Sequence, residues 1–361
     1  MVEQGTADTQ VKRRRVFYIP GYDPIHPRRY RELYRKEGAE QARISGYQIG
    51  LKPKQQGGLY GWHVESVIDG LETSADIEVL VWSDIVRDSM SNTIPATYAQ
   101  LVRTALEYIA TGALFRLMKL RKGPVIAALY PIGMLLVQAL VALAVVWLMA
   151  TLGGLIAPWV AWPGAALGAG AGYALLRWFK KKDGKFFAYY LMHDYAFSAR
   201  YRGANPPALE TRMAAFGDII AQALQEDWDE VLVVGHSSGA HLSVSILADL
   251  IRDGRVPANG PKLGFLSLGQ VVPMVSFLRD AWRLRADLAF LGASDALFWA
   301  DVTAPGDGCA FALCDPVSVS GVAPEGKRWP LVFSAQFTKS LSPARWKELR
   351  WRFFRLHFQY L

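Results

Sequence analysis

The stretch VLVVGHSSGAHLSVSI, residues 231–246, decides how this chain is read. Val231, Leu232, Val233 and Val234 make an apolar run of strand length, while Leu242, Ile246 and Leu250 recur every four residues, as one face of a helix does. Between them stands a polar knot, Gly235-His236-Ser237-Ser238-Gly239. A strand entering a helix through Gly-x-Ser-x-Gly holds its serine on a sharp, strained turn, with the hydroxyl exposed above the sheet. Gly235 and Gly239 then flank Ser237 where a side chain would clash with the turn or the helix packed beside it.

Similar pieces lie on both sides. RRRVFYI, residues 13–19, reads as a strand running into the turn Pro20-Gly21-Tyr22-Asp23-Pro24, and a polar, Arg-rich helix is expected over residues 27–43. Residues 75–82 read as a strand, 95–120 as one long helix, and 207–225 as a helix with Leu209, Met213, Phe216 and Ile220 on one face. Residues 263–268, 298–303 and 330–337 complete the strands. Strands alternating with helices predict a mostly parallel sheet covered on both faces, with ligands bound beyond its carboxyl ends.

Composition adds a membrane. Of the 361 residues 52% are hydrophobic and 12 are Trp, and residues 123–176 contain no Asp, Glu, Lys, Arg or His. That run is long enough for two crossings of roughly 20 residues each. It predicts three parts: residues 1–122, a transmembrane helical hairpin over 123–179, and residues 180–361. Arg116, Lys119, Arg121 and Lys122 precede the hairpin; Arg177, Lys180, Lys181, Lys182 and Lys185 follow it. Basic residues on both flanks place both flanks and both termini in the cytoplasm, as expected of an inner (plasma) membrane protein with two spans. Gly164, Gly168 and Gly172 set a small-residue face on the second span. Its partner is either the first span or a second copy of the chain in a homo-oligomer.

The N-terminus lacks the pattern of a signal peptide. The formal net charge of +8 gathers at the ends of the apolar run and in the C-terminal segment, with no nucleic-acid motif, so the expected partner is a lipid bilayer and not nucleic acid. Cys309 and Cys314 are too few for a disulfide framework, and no ligand spacing calls for a metal or other cofactor.

The elbow VLVVGHSSGA, the strand and loop FYIPGYDP and the acid-bearing segment WADVTAPGD together resemble the α/β-hydrolase superfamily, in its serine esterase and lipase-like members, with the hairpin as an insertion. The resemblance implies an α/β-hydrolase-like fold and a triad in the chain order Ser, acid, His. Ser237 is the implied nucleophile. Downstream of it stand only two histidines: His241, one turn into the elbow helix, and His357, which is the base by elimination. Asp307 sits in the turn after residues 298–303, where the superfamily carries its acid; Asp301 and Asp315 remain as alternatives. The amides of Ser238 and Tyr22 would form the oxyanion hole. His236 fills the variable elbow position and is expected to pack beneath the turn.

The expected function is a membrane-anchored serine hydrolase that cleaves an ester or thioester of a lipid-like acyl substrate through an acyl-enzyme on Ser237. The competing expectation is a catalytically inactive hydrolase-like scaffold or binding protein in the membrane. Residues 343–356 add a basic, aromatic helix with Ser342 as its cap and Trp346, Leu349, Phe353 and Leu356 on one face. That stripe suits either the core or a lipid surface.

Overall fold

The computed structural model of the chain describes residues 10–54, 57–90 and 93–361. It divides into two compact units: residues up to Arg87 together with Ala204–Leu361, and Asp88–Gly203. The expected boundaries near 122 and 180 therefore fall inside the second unit, which takes in flanking helices as well as the apolar pair.

The first unit is built on one eight-stranded sheet: β1 (Arg13–Ile19), β2 (Gln48–Pro53), β3 (Gly61–Ile68), β4 (Leu71–Val79), β5 (Glu230–His236), β6 (Lys262–Leu268), β7 (Phe298–Thr303) and β8 (Leu331–Ser334). Its order is β2-β3-β4-β1-β5-β6-β7-β8. From β4 to β8 every neighbour is parallel, whereas β2 and β3 join at the edge as antiparallel strands. The chain leaves β1 toward one side of the sheet and enters β5 on the other, so the switch point lies between them.

Burial follows position in the sheet. Val16, Phe17, Tyr18 and Ile19 of the central β1 are buried, as are Val231, Val233 and Val234 of β5. Continuous apolar runs of this kind suit strands covered on both faces. In β2, by contrast, exposed and half-buried residues alternate, as befits an edge. The parallel register sets Ile19 beside Gly235, His236 beside Leu268 and Leu268 beside Val302. Four strand ends thus come level, and the loops carrying Gly21, Ser237, Gly269 and Asp307 leave from one edge.

In the second unit the expected helix over 95–120 is two helices, Ile94–Ala110 and Ala113–Leu120, because Gly112 takes a left-handed φ of 69° that breaks the first. Residues 123–179 lie in a 35-residue helix, Lys122–Ile156, a short turn at Pro158–Val160 and a second helix, Ala161–Lys181. Among the described residues only the first helix is long and apolar enough to cross a membrane. The second falls short because its glycines contribute little hydropathy and Arg177, Lys180 and Lys181 lie within it. The expectation of two spans is thus supported for one helix alone.

The small-residue face has its partner in the same chain. A Cβ on Gly164 would stand 2.4 Å from the Met149 carbonyl oxygen, one on Gly168 2.7 Å from the Val146 Cα, and one on Gly172 3.0 Å from the Ala142 carbonyl oxygen. Of the two partners left open by the sequence, the structure seats the first helix on this face.

Candidate active site

Ser237 stands between β5 and the elbow helix Ser238–Arg252 with φ 55° and ψ −120°. Positive φ is strained for a residue with a side chain and persists where the surroundings impose it. Here they do. The Ser237 amide donates to the Leu268 carbonyl at 2.9 Å, and the Ser237 carbonyl accepts from the Ala240 amide at 3.1 Å. Both flanking glycines are sterically required. A Cβ on Gly239 would stand 2.0 Å from the Ile19 carbonyl oxygen, and one on Gly235 2.6 Å from Ser243 Oγ.

The loop after β1 closes against the serine. A Cβ on Gly21 would stand 2.9 Å from the Ser237 Cβ and 3.3 Å from its Oγ, so only glycine allows this approach. Trp82 Nε1 donates to the Pro20 carbonyl at 2.9 Å, and the buried Tyr22 ring meets Trp82 edge-on. Asp23 is taken up structurally, accepting from Tyr30 Oη at 2.9 Å and from the Ile25 amide at 2.9 Å. The loop carrying the Tyr22 amide is therefore pinned beside Ser237. Ser238 opens the elbow helix, so its amide is among the first-turn donors that have no acceptor within the helix.

Asp307 and His357 meet. His357 Nδ1 lies 2.7 Å from Asp307 Oδ2, and both side chains are buried. Tyr360 Oη donates to the same oxygen at 3.0 Å, and the Cys309 amide donates to Oδ1 at 2.8 Å. Burial pushes the Asp307 carboxyl up, but the facing His357 and these three hydrogen bonds outweigh it and hold the group below its ordinary value of 3.8. The other imidazole nitrogen, His357 Nε2, is buried and has no hydrogen-bond partner. Gly269, at φ 53°, gives the ring its space, since a Cβ there would stand 2.9 Å from His357 Cε1.

The alternative acids and the other downstream histidine serve elsewhere. Asp315 caps the helix Pro316–Val319, accepting from the Val317 and Ser318 amides at 2.9 and 3.2 Å, and pairs with Lys327 at 2.7 Å. Asp301 is buried on β7 and accepts from Ser267 Oγ at 2.6 Å, away from either histidine's hydrogen bonds. Burial raises its pKa to about 7. His241 is buried in the elbow helix, its pKa depressed to about 4 by burial, with Nδ1 unpartnered.

His236 has more to do than pack. Burial, and then the neighbouring His357, depress its pKa to about 3, so the ring is neutral at ordinary pH. Its Nε2 lies 3.0 Å from the His357 carbonyl oxygen, which can only accept, so Nε2 carries the proton. Nδ1 is then the acceptor for Tyr18 Oη at 3.1 Å. A chain of two hydrogen bonds thus runs from β1 through the elbow to the backbone of His357, whose ring lies 4.8 Å from that of His236 between centroids. Sequence reasoning missed this role and that of Tyr360. The available signals were a histidine at the variable elbow position and a tyrosine three residues after the base.

Asp307, Cys309 and His357 also place a carboxylate, a thiol and an imidazole with ligand atoms within 4.8 Å of one another. The carboxylate is already engaged by His357, Tyr360 and the Cys309 amide, an arrangement that fixes the orientation of the imidazole ring. No protein-family model, curated protein or solved structure matches the chain.

Proposed function

We propose that this chain is a membrane-anchored serine hydrolase that cleaves an ester or thioester, on lipid-like acyl substrates, through an acyl-enzyme on Ser237. The observation that carries the reading is the 2.7 Å bond between Asp307 and His357, taken together with a serine held at positive φ in the turn after β5. In this chemistry Ser237 Oγ attacks the acyl carbonyl while His357 Nε2 takes its proton. Asp307 fixes the ring with its proton on Nδ1 and stabilises the imidazolium that forms. Collapse of the tetrahedral intermediate breaks the bond to the leaving oxygen or sulfur, which receives the proton from His357. A water molecule, activated by the same histidine, then releases the acid. The amides of Ser238 and Tyr22 would face the oxyanion.

The membrane part of the proposal rests on the helix Lys122–Ile156; the glycine-faced helix packed on it, less apolar by itself, is proposed to cross beside it. Exposed Trp159 and Trp162 at the turn between the two, and lysines at residues 180–182, fit a span ending at a lipid–water boundary. Both flanks would then be cytoplasmic.

The test is fluorophosphonate labelling of the full chain in detergent. Ser237→Ala should abolish labelling and the hydrolysis of short p-nitrophenyl esters, whereas Ser238→Ala should keep most of both, because only its amide would serve the oxyanion. Folded protein that no probe labels would favour the inactive scaffold instead.

A further inference from the structure

The C-terminal segment divides its large side chains between two faces. Ser342 caps the helix Pro343–Leu349 by accepting from the Arg345 amide at 3.3 Å, and after an interruption at residues 350–352 a short helix, Phe353–His357, follows. Leu349 and Leu356 are buried, and the Trp346 ring lies against Gly306, where a Cβ would meet it at 2.9 Å. That part of the stripe belongs to the core. The interruption turns the rest outward: Trp351 is 74% exposed and Phe353 44%.

Cations surround these two rings. Lys347, Arg350, Arg352 and Arg355 are all exposed, and residues 343–361 hold five Lys or Arg against a single acid, Glu348. That acid is shared by Arg345, Arg352 and Arg355 at 2.8, 3.5 and 3.9 Å, and Arg345 pairs also with Glu37, so the charges of Lys347 and Arg350 and most of those of Arg352 and Arg355 are left over. We propose that Lys347, Arg350, Trp351, Arg352, Phe353 and Arg355 form a docking surface for an anionic phospholipid membrane. Guanidinium and ammonium heads match lipid phosphates, while an indole and a phenyl ring projecting among them suit the headgroup boundary. Lipid is the fitting partner because the same chain carries a helix able to cross a bilayer. The surface also adjoins the acid–base pair. A Cβ on Gly308, next to Asp307, would stand 3.2 Å from the Phe353 ring, and His357 ends the helix that Phe353 begins.

The experiment is hydrogen–deuterium exchange on the full chain in lipid nanodiscs, so it does not depend on hydrolase activity. Amides of residues 347–355 should exchange about fivefold more slowly in discs with about one-third phosphatidylglycerol than in pure phosphatidylcholine. About 1 M salt, which shortens the Debye length to about 3 Å, should remove most of that difference. The triple variant Arg350→Gln, Arg352→Gln, Arg355→Gln should lose it while melting as the parent does; if the triple variant fails to fold, Trp351→Gln serves in its place. Equal exchange in both kinds of disc would overturn the proposal. So would protection that appears in neutral discs only on adding a single-stranded oligonucleotide, which would make the patch a nucleic-acid surface.

Discussion

Asp307 Oδ2 and His357 Nδ1, fifty residues apart in sequence, lie 2.7 Å apart, and the Tyr360 hydroxyl closes on the same carboxylate oxygen at 3.0 Å. Each of the three comes from a loop or short helix, not from a strand. Their alignment therefore depends on how the last residues of the chain fold back over β6 and β7.

Asp307→Asn should leave the fold intact and lower kcat on a p-nitrophenyl ester by about 10³- to 10⁴-fold, because an amide facing Nδ1 no longer holds the ring in the working tautomer. Asp301→Asn should cost far less. Steady-state kinetics of the two variants side by side give the answer, and the reverse ordering in folded protein would remove Asp307 from the triad.

His236 should act through the backbone of His357. His236→Phe keeps a ring in the stack but loses the donor to the His357 carbonyl, and should lower kcat by about tenfold with KM little changed. His236→Gln, whose amide can still donate, should stay within about threefold of the parent. If both variants fall equally, the hydrogen bond is not what positions the base.

Asp301 should make the first unit less stable as pH rises. Its ordinary pKa is 3.8 and burial raises it to about 7 in the fold, so between these values the folded chain binds a proton that the unfolded chain has released. The stability contributed by that proton is fully present below pH 3.8, falls as pH rises through about 7, and is flat above. Asp301→Asn keeps an acceptor for Ser267 without a charge to bury. Its melting temperature, measured by scanning calorimetry, should gain on the parent by a few degrees at pH 8 relative to pH 5. A constant offset between the two proteins would contradict this.

Gly168→Ile should separate the two helices of the second unit, since even a Cβ there would stand 2.7 Å from the Val146 Cα. Lower thermal stability in detergent, with Gly170→Ile as the mild control, is the expected result; a Cβ on Gly170 meets nothing within 4 Å. Equal melting of the two variants would leave the contact without energetic weight.

The parts that the sequence made legible are those with a local cause. β1, β5 and β7 are apolar runs bounded by turn residues, and Gly235 and Gly239 announce the elbow because its steric demand falls on neighbouring positions. The pair β2 and β3 was missed: Gln48–Pro53 is an exposed edge with a lysine and a proline, too polar to resemble a buried strand. The helix Ala188–Arg200 was missed as well, since its three tyrosines and buried His193 do not form a plain apolar stripe. The roles of His236 and Tyr360 could not be read because their partners, Tyr18, Ala304 and the His357 carbonyl, reach them only through strand register and the return of the C-terminal segment onto the sheet. Asp307 could be named as a candidate from its turn, but only the folded chain separates it from Asp315, which sits in an equally good turn and spends its oxygens on a helix cap.

The place of β1 in the sheet has a consequence for biogenesis. Its two neighbours are β4, finished at Val79, and β5, which begins at Glu230. At about 5–20 residues per second, a ribosome needs roughly eight to thirty seconds to make the intervening stretch. During that interval the nascent half-sheet presents an unpaired central edge while the apolar helix at Lys122–Ile156 emerges behind it. If that helix enters a membrane, as proposed, its early capture would take this apolar segment out of reach of the waiting edge. Delayed capture should therefore show itself as a demand for chaperones during synthesis, well before any defect in the finished protein.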